Sequence, residues 1–119
     1  MLPSVHRLRD HRDFAAASRG RRAGSPLLVV HAHPCAAGTV ARVGFVVSRK
    51  VGNSVVRNRV KRRLRALMAA HLEELPAGYD IVVRANPAAA QADYLTLGSS
   101  LAKLLPRVLQ RPQHFEVGP

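Results

Sequence analysis

Residues 42–67 read RVGFVVSRKVGNSVVRNRVKRRLRAL, and the hydrophobic period changes inside this stretch in a way that decides the fold. The first part alternates, with Val43, Phe45 and Val47 on one side of an extended chain and Arg42, Gly44, Val46 and Ser48 on the other. That period of two predicts a strand over 41–48. Gly52 and Asn53 follow, Asn53 being a good N-cap, and from Ser54 the apolar residues recur at helical spacing as far as Leu72. On a helical wheel Val56, Val60, Leu64, Leu67 and Met68 form one stripe that has to be buried. Asn58, Arg59, Lys61, Arg62 and Arg65 occupy the opposite arc, with Arg57 and Arg63 at its borders, where a long side chain lies along the core edge and keeps its head in water.

Working outward, residues Asp10 to Ser18 predict a short helix anchored by Phe14 and stopped near Gly20. Arg21 to Ser25 reads as a loop. After Pro26 the β-branched run LLVVHA predicts a strand, and Pro34 to Gly38 a turn. Beyond the central helix, Pro76, Ala77 and Gly78 precede YDIVVRA, a third strand closed by Asn86 and Pro87. The last helix is expected from Asp93 to Gln110, with Tyr94, Leu97, Leu101, Leu104, Leu105 and Val108 in its stripe and Gly98 and Pro106 weakening it locally. The order α-β-β-α-β-α implies an α/β (α+β) sandwich, a small sheet with helices packed on it. A chain of 119 residues fits one domain, with residues 1–9 and 112–119 expected to be mobile.

Charge narrows the function. Nineteen Lys and Arg face seven Asp and Glu, a net charge of +12. From Phe14 to Leu72 there is no acid and there are twelve Lys or Arg, so the helical cations lack the i+3 or i+4 acids that ordinarily neutralise such a face. Self-repulsion of this kind destabilises a compact state unless a polyanion answers it. Nucleic acid fits better than a membrane, because no apolar run approaches the ~20 residues of a bilayer span and the basic stretch has no Trp or Phe to anchor it in an interface. Cys35 stands alone, and the N-terminus MLPSVHRLRDHRDF has no continuous hydrophobic segment, so a reducing, cytoplasmic setting is expected.

The stretch 42–67, with its Arg57-Asn58-Arg59 core followed by Lys61 and Arg62, resembles the signature of the bacterial ribonuclease P protein family. HRLRDHRDF and YDIVVRANP resemble that family's basic N-terminus and last strand, so the likeness covers most of residues 6–105. It implies an RNA-binding protein subunit that assists a catalytic RNA in endonucleolytic removal of the 5′ leader from precursor tRNA. The partners implied are that RNA and the precursor tRNA, with one protein per RNA and no membrane. Catalysis and the required Mg²⁺ would belong to the RNA, with no cofactor held by the protein. The resemblance also implies a left-handed β-α-β crossover around the basic helix. It assigns Arg57, Asn58, Arg59, Lys61, Arg62 and Arg65 to the ribozyme RNA. It places Arg9, Phe14, His31, Phe45, Arg49 and Lys50 in or around a leader-binding cleft. The family often has a second aromatic at the end of the first helix, where this chain has Ala17 and Ser18.

Other chemistries fare worse on the residues alone. His31 and His33 share a strand face with Cys35 close by, but no second cluster completes the four ligands of a structural zinc site. The histidines are scattered for acid–base cleavage of RNA, and no set of Asp and Glu offers oxygen ligands for Mg²⁺. Phe14 and Phe45 serve equally well as plain core. A structural or ribosomal-type RNA-binding protein remains the alternative. A helix-turn-helix DNA reader would need a second helix beside the basic one, where strands are expected instead.

Overall fold

The computed structural model describes residues 6–34 and 40–109. Along the chain run α1 (His11–Ser18), β1 (Arg21–Gly24), β2 (Leu28–Pro34), β3 (Arg42–Val46), α2 (Ser54–Ala69), β4 (Tyr79–Ala85) and α3 (Tyr94–Leu109). Two short 3₁₀ turns, Leu72–Glu74 and Pro87–Ala90, precede β4 and α3. The α/β expectation holds, with one strand more than the sequence reading. Arg21–Gly24, expected as a loop, pairs antiparallel with β2 from Arg21↔Ala32 to Gly24↔Val29. Its RRAG sequence has no apolar alternation, and what makes it a strand is the ladder β2 offers.

The sheet order is β1-β2-β4-β3. β2 and β4 are antiparallel in register Leu28↔Ala85 through Pro34↔Tyr79. β3 runs parallel to β4 from Arg42↔Asp80 to Val46↔Arg84, so the link through α2 is a crossover connection. The period of two then sorts every strand. Leu28, Val30, Ala32, Val43, Ile81 and Val83 join the main core with Val60, Leu64 and Met68 of α2 and Leu97, Leu101, Leu104 and Val108 of α3. On the other face Val82 packs with Leu8 and Ala17, flanked by Phe14 and Val46. Two helices therefore cover one face and α1 part of the other.

The helix boundaries follow local signals. Asn53 caps α2 by accepting from the Val56 N–H at 3.0 Å, and Asp10 caps α1 by accepting from the Arg12 N–H at 2.8 Å. Asp93 accepts from Thr96 N–H at the start of α3. Gly78, with φ 85°, makes the turn into β4 that a residue with a Cβ would resist. Tyr94, expected in the buried stripe of α3, is instead 43 % exposed at the helix's first position, ahead of the turn that meets the sheet.

The N-terminal segment adds contacts to the sheet. Residues 6–9 are held along the free edge of β3: Arg7 bridges Val43, the Leu8 N–H donates to the Val43 carbonyl at 2.9 Å, and Leu8 is buried. His6 donates from Nδ1 to the Ala41 carbonyl at 2.7 Å. Burial of Leu8 and an edge that offers unpaired backbone groups explain why this stretch lies along the sheet. The expected mobile ends 1–5 and 112–119, and the turn containing Cys35, lie outside the described residues.

Candidate nucleic-acid interface

The apolar stripe of α2 sets the directions of its cations. With Val60, Leu64 and Met68 fully buried, Asn58 and Arg62 point outward and are exposed, while Arg57, Arg59, Lys61, Arg63 and Arg65 are half-buried on the two flanks. One flank is tied down. Arg59 donates from Nη2 to the Ala90 carbonyl at 3.2 Å, and Arg63 from Nη1 to the Ala92 carbonyl at 3.1 Å. These bonds fasten α2 to the chain that leads into α3. The Nε atoms of Arg57 and Arg59 are buried without a protein partner.

The other flank opens onto a cavity of about 310 Å³ at the β3 edge. Lys61 and Arg65 wall it from α2, Arg7 and Arg9 from the N-terminal segment, and Phe14 and Phe45 contribute rings. A second, more open depression of about 370 Å³ lies between α1 and the sheet, lined by His11, Phe14, Ala15, Ser18, Val46 and Arg84. Phe14 belongs to both. Its seat exists because residue 44 is glycine: a Cβ there would fall on the Phe14 ring.

Phe14 and Phe45 do not floor one cleft from the same side. Phe45 packs against the main core, whereas Phe14 packs with Leu8, Ala17 and Val82 across the sheet. Both line the cavity at the β3 edge. Arg9 is exposed at that cavity's rim. Arg49 and Lys50 are exposed in the turn between β3 and α2 and line neither depression.

His31 is buried to 5 % on the α1 face of β2, its Nδ1 without a partner. Burial holds its pKa below the ordinary 6.5, helped by the positive charges of Arg84 and Arg22, and a hydrogen bond to the Ser18 backbone opposes the shift. Its ring therefore braces the end of α1 as a neutral imidazole and does not line the depression beside it. Among the described residues no group of three or more His, Cys, Asp or Glu gathers as a metal site would require. No helix of the described residues is long and apolar enough to cross a membrane.

Acids near this surface are committed to arginines. Asp80, 4 % exposed, accepts from Arg42 Nε at 2.9 Å and Nη2 at 2.8 Å. Arg42 Nη1 also lies 3.3 Å from Asp13 of α1, so one guanidinium ties that helix to the sheet. Two functional candidates escape the sequence reading. Arg84 is legible in principle, since the alternation of YDIVVRA puts it opposite Ile81 and Val83. Arg7 lies in the basic stretch HRLRDHRDF, but its place beside β3 is not legible there, because it depends on pairing with a distant strand.

A family model described as Ribonuclease P matches residues 2–109. The chain belongs to the ribonuclease P protein family. It is 52 % identical to the ribonuclease P protein component of Streptomyces bikiniensis, over 92 % of this chain and 96 % of that one. Its fold is similar to that of the Staphylococcus aureus ribonuclease P protein, with TM-score 0.76 and 28 % identity over 90 % of this chain and 100 % of the other. The Thermotoga maritima ribonuclease P protein gives TM-score 0.74 and 31 % identity over 85 % and 96 %. The edge cavity takes its walls from the basic helix and shares Phe14 with the α1 depression.

Proposed function

We propose that this chain is the RNA-binding protein subunit of ribonuclease P, working with a catalytic RNA to remove the 5′ leader of precursor tRNA in the cytoplasm. The observation that carries the reading is the cationic surface of α2, continuous with the edge cavity, in a chain of this family. A rigid helix presents guanidinium forks that match phosphate, and no acid of its own neutralises them. Asn58, Arg62 and the flanking Arg57, Lys61 and Arg65 are assigned to the RNA subunit, with Arg59 shared between RNA and fold. Arg9, Phe14 and Phe45 are assigned to the leader strand, with Arg49 and Lys50 as exposed charges nearby and His31 as a brace behind α1.

Chemistry on the RNA subunit, with Mg²⁺ held there, fits the disposition of acids in this chain. Asp13 and Asp80 are engaged by Arg42, and Glu73 and Glu74 sit exposed on the 3₁₀ turn after α2. The protein's contribution is then electrostatic: it lowers the repulsion between two RNAs and gives the leader an additional binding surface.

Reconstitution tests this directly. The protein is mixed with a bacterial ribonuclease P RNA and a precursor tRNA, and leader release is followed at low Mg²⁺. Stimulation that needs both components is expected. Cleavage by the purified protein alone would place a nuclease site on this chain. Tight RNA binding without stimulation would favour a structural RNA-binding role.

A further inference from the structure

The last two turns of α3 present an apolar face that the described residues leave uncovered. Ala102, Leu105, Pro106 and Leu109, spaced i, i+3, i+4 and i+7, line a groove of about 490 Å³. Leu75 and Pro76, between the 3₁₀ turn and β4, line it from the chain before the last strand. Leu105 belongs to the main core, but Ala102 and Pro106 are exposed, and Leu75, Pro76 and Leu109 are only half-buried. Pro106 is a costly residue inside a helix. It has no N–H to give to the Ala102 carbonyl, so that carbonyl, at the groove, lacks its helical donor. Among the described residues no Lys or Arg lines the groove. Its one carboxylate, Glu74, lies 3.0 Å from His71 Nδ1 and stays largely exposed, so the groove does not suit RNA.

We propose that the segment following α3, residues 110–119, folds back and seats Phe115 in this groove. That segment reads QRPQHFEVGP and lies outside the described residues. It begins directly after Leu109, which lines the groove, so it meets the site at high effective concentration. Pro112 disfavours the helical region at Arg111, which turns the chain off the axis of α3. From Pro112 to Phe115 an extended chain covers about 10 Å. From Leu109 back to Ala102 the helix rises about 10 Å as well. A reversal over 110–112 therefore returns Phe115 to the level of Ala102 and Leu105. Phe115 and Val117 are the two large apolar residues of the segment, and their spacing of two points both to one side of an extended chain. Arg111 is its one Lys or Arg, and the exposed Glu73 and Glu74 answer that charge beside the groove. Backbone N–H groups of the returning chain supply the donor that the Ala102 carbonyl lacks.

The inference is independent of the RNA-binding role, and thermal unfolding of the whole chain tests it. The proteins compared are wild type, Phe115→Ala, Ala102→Glu and the double variant. Ala102 is exposed and Glu is a good helix former, so Ala102→Glu blocks the groove without breaking α3. Phe115→Ala is expected to lower the melting temperature by about 5 °C. In the Ala102→Glu background the same substitution should lose most of its effect, because both changes remove one contact. His114→Ala, beside Phe115 on the other side of the extended chain, serves as the control and should melt as wild type does. A melting temperature unchanged by Phe115→Ala overturns the proposal. So does an equal loss in both backgrounds, which would seat Phe115 somewhere else. Sedimentation and a dilution series address a neighbouring copy. A monomer whose loss is independent of concentration is expected. A dimer whose loss fades on dilution would assign the groove to the segment of a second copy and overturn the intramolecular seat. If Ala102→Glu fails to fold, Pro106→Glu, also at an exposed position, replaces it.

Discussion

Arg62 is exposed on the outer face of α2, while Arg59, one turn away, donates to the Ala90 carbonyl. Arg62→Ala should therefore lower the salt slope of binding to the RNA subunit by about 0.7–0.9 and leave urea unfolding unchanged. Arg59→Ala should do both kinds of damage, losing an RNA contact and about 1 kcal/mol of stability with its charge-assisted bond. An unchanged slope for Arg62→Ala would remove the outer face from the interface. Arg42 and Asp80 give a second contrast. Arg42→Ala strands a buried carboxylate and should cost about 3 kcal/mol. Asp80→Asn leaves a guanidinium that is one-third exposed and still near Asp13, and should cost about 1 kcal/mol. Equal losses in denaturant unfolding would contradict that asymmetry. The wheel of α2 is enough to place Asn58 and Arg62 outward. It cannot show Arg59 and Arg63 bonding to residues 90 and 92, because those carbonyls arrive only when α3 packs.

At the scale of elements, α1 is held by Ala17 against Leu8 and Val82, by Phe14 over Gly44, by the Arg42–Asp13 pair and by His31 beneath Ser18. Gly44→Ala puts a Cβ where the ring sits, so the Phe14 ring has to leave its seat. Affinity for precursor tRNA should fall, with affinity for mature tRNA retained; an equal loss for both RNAs would mark the helix as scaffold only. His31 adds a pH dependence. Its folded pKa lies below the ordinary 6.5, so between those two values the unfolded chain binds more protons than the folded one. Stability therefore falls as pH drops below 6.5 and is fully restored above it. His31→Gln, which keeps a donor for the Ser18 backbone and cannot titrate in this range, should flatten that part of the stability–pH curve; a curve parallel to wild type would exclude His31 as its source. The strands β2, β3 and β4 and all three helices are legible from period and caps. β1 is not, since RRAG becomes a strand only against β2, and the pairing of residues 6–9 with β3 is hidden for the same reason.

For the whole molecule, a net charge of +12 on one small domain is a standing destabilisation that a bound polyanion removes. Screening and binding predict different responses. Screening depends on ionic strength alone, with a Debye length of about 10 Å at 0.1 M. Binding depends on the anion's identity and concentration, because phosphate oxygens accept from guanidinium forks that chloride cannot satisfy. Tripolyphosphate at micromolar concentration, too dilute to alter ionic strength, should raise the melting temperature, by about 5 °C at roughly ten times its dissociation constant. Sodium chloride at matched ionic strength should not. The gain should shrink in Lys61→Ala and Arg7→Ala, which remove cations from the edge cavity, and persist in Arg107→Ala. A rise that tracks ionic strength whatever the anion would instead assign the surface charge to general screening. The cations would then act as a diffuse field and not as discrete phosphate-binding groups.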